Sequence, residues 1–295
     1  MSKERSLSAK NRLLDAAARE TFKILIPKAE VVADATKITY ADDFFTRFLP
    51  PMQTGDFTPI YVACHSGHGQ GIPAGESLDK MRNIINRVRQ PDNKFPGWTM
   101  LIAASVLEGF QGPMVEQGVR QTLPFLERRH VGITEIVRPE DIKRYNMTQN
   151  LREVYEELKE AATAGYGIVL FPEGSVQSGR TNRHFNEVFG MRQFKEVAIK
   201  LAQRAIKAAG KKDLWIPVAS QGDRDLLSPD NFFLTRKSIA AVARVGDPAL
   251  VKIFVETPFR GDQAPKNVPL ADFLGSKIAR HLLPEEQGYY RNMRY

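Results

Sequence analysis

The run Tyr-Gly-Ile-Val-Leu-Phe at 166–171 is apolar on both of its faces and gives the clearest indication of the fold. A strand of this kind is typical of the centre of a parallel sheet, where helices cover both sides. A helix with one apolar face is predicted to begin at Thr148 and to stop at Gly165, directly before the strand. A further helix is predicted after the strand, over 194–209. Helix, strand and helix in succession predict an α/β fold.

The same alternation continues outward from this strand in both directions. Short apolar runs bounded by turn residues predict further strands, and amphipathic runs predict further helices. The predicted strands are 59–64, 131–138, 214–219 and 252–256, and the predicted helices are 8–26, 42–48, 77–89 and 270–283. We therefore expect a mostly parallel central sheet flanked by helices, with an N-terminal helical extension. The expected domains are a helical N-terminal region at 1–55 and an α/β domain at 56–295.

Two boundaries in the N-terminal half depend on local signals. The helix at 42–48 is predicted to stop before Pro50 and Pro51, because proline removes a helical hydrogen bond. The Gly-rich stretch 67–75 is predicted to be a loop, with Ser77 capping the helix that follows.

The composition limits the class of protein. The chain has 295 residues, of which 42% are hydrophobic, as is ordinary for a soluble globular protein. No apolar run is long enough to cross a bilayer, and the charged start is unlike a signal peptide. We expect a cytoplasmic protein, with peripheral attachment to the inner face of a membrane as an alternative. The single cysteine, Cys64, excludes an internal disulfide.

The net charge of +8 favours anionic partners. These could be nucleic acid, an acidic membrane surface, an acidic carrier protein or a phosphorylated substrate. No zinc-finger, homeodomain or RNP-type signature is present, so nucleic acid is not expected. The amphipathic segments 78–88 and 270–283 could lie on anionic lipid or could pack on the sheet.

Polar side chains follow two predicted strands, at the edge where ligands bind in α/β sheets. His65 follows the strand at 59–64, where a histidine could take a proton from an attacking hydroxyl. Glu173 follows the strand at 166–171. Spacing alone also allows a structural histidine and a strand followed by a capped turn. No metal-ligand spacing is found, so no metal site is expected. Cys64 is interpreted as a core residue, because adjacent strand residues point to opposite faces.

Four blocks of sequence carry a family resemblance. They are Val-Ala-Cys-His-Ser-Gly-His-Gly-Gln at 62–70, Gly-Ile-Thr-Glu-Ile-Val-Arg at 132–138, Phe-Pro-Glu-Gly-Ser at 171–175 and Trp-Ile-Pro-Val at 215–218. In this order they resemble the motifs of the glycerolipid acyltransferases, which include lysophosphatidic acid acyltransferases and glycerol-3-phosphate acyltransferases. The block at 171–175 is the most specific of the four. The resemblance covers roughly residues 58–290.

The resemblance implies an O-acyltransferase of phospholipid biosynthesis. It would move a fatty acyl group from acyl-CoA or acyl-carrier protein to a hydroxyl of glycerol 3-phosphate, lysophosphatidic acid or a similar polar acceptor. His65 would be the general base, Arg138 would bind the acceptor phosphate and Glu173 would hold an acceptor hydroxyl. The resemblance implies no cofactor. The remaining implied site residues are Gln70 at the catalytic position and Gly174, Ser175 and Arg180 in substrate binding.

Gln70 departs from the family pattern, because it stands where the family has an aspartate. Val176 is a second departure, at a position that is commonly arginine. The alternative function is therefore a catalytically impaired member that binds a lipid or a protein. Three explanations of Gln70 compete. The chain is a natural inactive member, it carries a deliberate substitution that traps a substrate complex, or Glu76 or Asp79 folds back from the loop and replaces the acid.

Overall fold

The computed structural model describes residues 33–34, 36–64, 71–103, 123–137, 146–173, 190–222, 251–293 and 295. The strands are β1 (Lys37–Tyr40), β2 (Phe57–Ala63), β3 (Trp98–Ala103), β4 (Val131–Ile136), β5 (Gly167–Leu170), β6 (Lys212–Gln221), β7 (Lys252–Val255) and β8 (Phe259–Arg260). The helices are α1 (Phe44–Thr54), α2 (Gly71–Val88), α3 (Met147–Thr163), α4 (Glu196–Ala208) and α5 (Leu270–Ala279). A short helix also spans 123–128, and single 3₁₀ turns span Gly261–Gln263 and Gly288–Tyr290.

The strands form one sheet of eight in the order β1-β7-β6-β2-β5-β3-β4, with β8 pairing with β6. The run from β6 to β4 is parallel throughout. β7 and β8 are antiparallel to β6, and β1 is parallel to β7. The prediction of an α/β fold with a mostly parallel sheet flanked by helices is confirmed. The carboxyl ends of five strands therefore share one edge of the sheet, which we call the carboxyl edge.

Helices cover both faces of the sheet, and the sheet separates two hydrophobic cores. We call the side with Phe48 of α1 and Leu78 of α2 the α1/α2 core. The opposite side, with Leu158 of α3, Ile199 of α4 and Leu274 of α5, is the α3/α4/α5 core. Alternate residues of each inner strand enter the two cores, and this explains why the sequence of β5 is apolar on both faces.

The prediction that the first described helix stops before Pro50 and Pro51 is wrong, because α1 contains both prolines and runs to Thr54. Its buried residues recur every fourth position at Phe44, Phe48 and Met52, and the last of these lies beyond the prolines. Burial of this stripe offsets the two missing N–H donors, so packing overrides the local signal. The helix ends instead at Gly55, whose φ of 73° is the left-handed conformation that favours glycine.

The predicted loop at 67–75 is also wrong over its last five residues, because α2 already begins at Gly71. Pro73 lies in the first helical turn, where its missing N–H forms no helical bond in any case. Ser77 is therefore not a cap but a fully buried residue inside the helix. Apolar residues before and after it pack on the sheet and hold the first turns in helical form.

The end of the N-terminal region belongs to the same sheet. β1 pairs with β7, and α1 packs in the α1/α2 core. A strand therefore lies within the region that was predicted to be helical. The domain boundary at residue 55 stays a prediction, because residues 1–32, with the predicted helix at 8–26, lie outside the described residues.

The amphipathic segments at 78–88 and 270–283 use their apolar sides for packing. α2 contributes buried residues to one core and α5 contributes buried residues to the other. None of the helices that the structure describes is long and apolar enough to cross a membrane.

Candidate functional site

β2 and β5 lie side by side and leave the sheet at the same edge. Their parallel register pairs Val62 with Leu170, the last residue of β5. β2 ends one residue later, at Ala63. Neighbouring strands are about 4.8 Å apart. The residues that follow the two strands in the sequence therefore leave the sheet from adjacent points.

Most of the predicted site residues lie outside the described residues, and four of them directly follow or precede a described position. Cys64 precedes His65, Gly71 follows Gln70, and Val137 precedes Arg138. Contacts among these residues stay a prediction. The site residues outside the description are His65, Gln70, Arg138, Gly174, Ser175 and Arg180. The interpretation of Cys64 as a core residue is confirmed, because it is buried in the α3/α4/α5 core.

Glu173 is the predicted site residue that the structure describes, and it is 1% exposed. Its Oε2 accepts a hydrogen bond of 2.9 Å from the backbone N–H of Arg192. The adjacent carbonyl of Pro172 accepts a bond of 2.8 Å from the N–H of Lys195. The turn after β5 is thus joined to the segment 190–195, which leads into α4. The assignment of Glu173 to an acceptor hydroxyl stays a prediction.

The segment 190–195 is tied in turn to the C-terminal part of the chain. Met191 donates its N–H to the carbonyl of Glu286 at 2.9 Å and accepts a bond of 2.8 Å from the N–H of Tyr289. The N–H of Phe194 donates to the hydroxyl of Tyr290 at 2.8 Å. Burial raises the pKa of this hydroxyl, so it stays protonated at any physiological pH. The strand end that carries Glu173 is therefore supported from the last residues of the chain.

The exit of β4 is held by an asparagine that the sequence analysis missed. Asn150, in the first turn of α3, accepts a bond of 2.7 Å from the N–H of Val137 through its Oδ1. Its Nδ2 donates to the carbonyl of Glu135 at 3.4 Å. The amide thus fixes the backbone directly before Arg138. Its sequence signal is weak, because an asparagine near a helix start is ordinary capping chemistry.

Glu76 and Asp79 are engaged elsewhere. Both lie on α2 and not on a loop, so the idea that one of them folds back from a loop is wrong. Glu76 lies 3.4 Å from the guanidinium of Arg129 and 3.3 Å from the ammonium of Lys80. Asp79 accepts a bond of 3.2 Å from Asn83, one turn further along the helix. Neither carboxylate is available to replace the family's aspartate without losing these contacts.

A second group of titratable side chains lies on the side of β6 that faces away from β2, where β7 meets α5. Oε2 of Glu256 lies 2.8 Å from Nε2 of His281, and its Oε1 accepts a bond of 2.9 Å from the N–H of Thr257. Lys277 lies 3.9 Å from the same carboxylate. Burial alone would raise the pKa of Glu256. These partners lower the pKa by more than burial raises it, so the pKa of Glu256 is about 2.

Replacing Glu256 with glutamine is expected to remove part of the acid sensitivity of the fold. The carboxyl pKa is about 2 in the folded chain and 4.5 without partners, so its stabilisation is present above pH 4.5 and is lost towards pH 2. At pH 7 the variant should lose about 1.5–3 kcal/mol, the contribution of a charged hydrogen bond. Urea unfolding at several pH values measures this. A wild-type-minus-variant difference that is the same at pH 7 and pH 3 would contradict the assignment.

Within the described part of the chain, no group of three or more His, Cys, Asp and Glu side chains could hold a metal ion.

No protein-family model matches the chain. No curated protein matches it either. Among solved structures, the chain is similar to the 1-acyl-sn-glycerophosphate acyltransferase PlsC from Thermotoga maritima. The match has 12% identity and a TM-score of 0.43, and it covers 93% of this chain and 82% of that chain.

Proposed function

We propose that this chain is an O-acyltransferase that moves a fatty acyl group to a hydroxyl of a small phosphorylated polyol. The observation that carries the proposal is the parallel pairing of β2 with β5. This pairing starts the segment with His65 and the segment with Glu173 from adjacent points of one edge. The motif resemblance requires such an arrangement, and a wide separation of the two strands would have excluded it.

The reaction follows from the chemistry of these residues. His65 takes the proton of the acceptor hydroxyl, and the oxygen attacks the thioester carbonyl of acyl-CoA or of acyl-carrier protein. A C–O bond forms, the C–S bond breaks, and the thiol leaves with the proton from the imidazole. Arg138 pairs with the acceptor phosphate, for which a planar guanidinium is well shaped. Gly174, Ser175 and Arg180 complete the acceptor site.

Mass spectrometry of the products from a mixture of acyl donors and acceptors tests this function. The donors are acyl-CoA and acyl-carrier protein, and the acceptors are glycerol 3-phosphate and lysophosphatidic acid. We expect one acylated phosphate ester with a clear donor preference. No product from any pair would favour the alternative, in which Gln70 leaves a lipid- or protein-binding module without catalysis.

Arg138→Ala is expected to weaken acceptor binding by roughly 2–3 kcal/mol, because a charge-assisted bond to phosphate is lost. The effect should appear mainly as a raised KM for the acceptor, with the KM for the donor unchanged. Steady-state kinetics against each substrate measures this. Normal acceptor kinetics would make Arg180 the next candidate. As a comparison, Asn150→Ala should raise the same KM to a smaller extent, because it only frees the backbone before Arg138.

We also propose peripheral contact with anionic membranes, based on the net charge of +8. The apolar sides of α2 and α5 are occupied in the cores, so the contact would be electrostatic. Sedimentation with anionic vesicles should show binding that falls as salt is raised from 0.05 to 0.5 M. Salt shortens the distance over which charges attract each other, from about 10 Å at 0.1 M to about 3 Å at 1 M. Equal binding to neutral and anionic vesicles, or no binding to either, would contradict the contact.

A further inference from the structure

β6 carries a buried hydroxyl at the carboxyl edge of the sheet. Ser220 is the last residue but one of this strand and is 5% exposed. Among the residues that the structure describes, its Oγ has no hydrogen-bond partner. A buried hydroxyl without a partner is destabilising compared with an apolar group of the same size. The fold therefore gains nothing from this oxygen, and a function in ligand binding would explain its presence.

The strand alternation sets the face to which Ser220 belongs. Ile216 and Val218 lie in the α1/α2 core, whereas Trp215 and Ala219 lie in the α3/α4/α5 core. Ser220 continues the first series, so its side chain is on the α1/α2 side of the sheet. α2 covers this side and runs away from the carboxyl edge, because it begins shortly after β2 has ended there. Ser220 and the start of α2 thus lie on the same side of the same edge.

The register places Ser220 next to the exit of β2. Ala63, the last residue of β2, pairs with Val218. β6 continues for three further residues, up to Gln221. Ser220 lies two residues beyond this pair on β6, beside the point at which the chain leaves β2 and continues in the sequence to His65. β6 and β2 are about one strand spacing, ~4.8 Å, apart where they pair, so Ser220 lies close to the exit of β2.

The strand order divides the carboxyl edge into two halves around β2. On one side are β5, β3 and β4, which lead to Glu173 and to Arg138. These residues form the acceptor half of the proposed site. On the other side is β6 with Ser220. In the proposed function the acceptor occupies the first half, so we assign the acyl donor to the second half.

We propose that the hydroxyl of Ser220 donates a hydrogen bond to the carbonyl oxygen of the acyl thioester, an inference that rests on the proposed function. When the acceptor oxygen forms its bond to the carbonyl carbon, the carbonyl oxygen gains negative charge. A donor in place before the reaction stabilises this charge. When the C–S bond breaks, the oxygen becomes a carbonyl again and the bond weakens. The neutral hydroxyl suits a carbonyl oxygen, whereas a phosphate would call for a cation such as Arg138.

Ser220→Ala tests the proposal in the full chain. The loss of one oxyanion donor should lower kcat about 100-fold, with the KM for the acceptor unchanged. The Tm should stay the same or rise, because the substitution removes a buried hydroxyl that has no partner. Ser220→Thr keeps a hydroxyl on a side chain that suits a strand, and it should recover most of the rate. A structural role would predict the opposite pattern, with a lower Tm and changes in KM as well as in kcat.

Ser77→Ala is the matched control. Ser77 is also buried, and its Oγ also lacks a partner among the described residues. It lies six residues along α2 from Gly71, which is about 9 Å from the start of the helix. The same chemical change there should leave kcat as it is. An equal loss of kcat in both variants would overturn the assignment to Ser220.

The remaining outcomes separate this inference from the proposed function. If the wild-type chain transfers acyl groups and Ser220→Ala is equally fast, the inference is wrong and the acyltransferase stands. If the wild-type chain transfers none, binding of the ketone analogue of palmitoyl-CoA decides, since this probe keeps the carbonyl but cannot release its chain. Ser220→Ala should raise its Kd about fivefold, the effect of one neutral hydrogen bond. An unchanged Kd would overturn the inference in that case too.

Discussion

The variant Gln70→Asp is expected to transfer acyl groups faster than the chain with glutamine, by up to about four orders of magnitude. A carboxylate beside His65 would accept a bond from one ring nitrogen and stabilise the imidazolium that forms as the proton moves. A glutamine carbonyl can accept the same bond but carries no charge, and its amide end can select the wrong tautomer. In the serine-protease template, exchanging aspartate for asparagine costs about 10⁴ in kcat. Single-turnover kinetics with excess enzyme measures the difference.

His65→Ala should abolish whatever activity either form has, because the proposed base is then absent. Full activity in His65→Ala would remove the mechanism. A small effect of Gln70→Asp would instead mean that another acid already replaces the aspartate. Glu76→Gln is the control for that outcome, and we expect it to change the rate little. The carboxylate of Glu76 is already paired with Arg129 and Lys80 on α2.

The centre of the fold could be predicted from the sequence because its signals are local. β5 is apolar on both faces and is bounded by Gly165 and Pro172, so no distant residue is needed to identify it. The boundaries that failed depend on distant partners. Pro50 is tolerated in α1 because Phe48 and Met52 are buried against the rest of the core. No local pattern contains that information.

The candidate site follows the same division. His65 and Glu173 could be proposed as site residues because ligands bind at strand ends in α/β sheets, and this rule needs only the position of the strands. The supports of the site could not be found in this way. Asn150 meets the end of β4 across 13 residues of sequence, and Tyr290 meets Phe194 across 96. Ser220 lies in none of the four motifs, because the role proposed for it rests on the register of β6 against β2.

Tyr290→Ala is expected to lower the free energy of unfolding by about 3–5 kcal/mol, as for other buried aromatic residues that are replaced by alanine. Tyr290 is fully buried, and its ring packs edge-on against Phe194 at 5.5 Å. Removing the hydroxyl also leaves the N–H of Phe194 without its bond. Urea unfolding followed by the fluorescence of the buried Trp98 and Trp215 measures the loss. Tyr290→Phe should lower the free energy of unfolding by about 1–3 kcal/mol, because it loses the hydrogen bond but keeps the ring.

Tyr166→Ala is the control for side-chain size, since this tyrosine is exposed, and its loss should be below about 1 kcal/mol.

Gly275 on α5 provides a sharper test. A Cβ at this position would overlap Cζ of Tyr290, so Gly275→Ala alone must displace the ring and should cost about 1–3 kcal/mol. In the Tyr290→Ala background the same methyl enters the space that the ring has left. The double variant should therefore be more stable than the sum of the two losses. Strict additivity would mean that the ring of Tyr290 does not pack on α5.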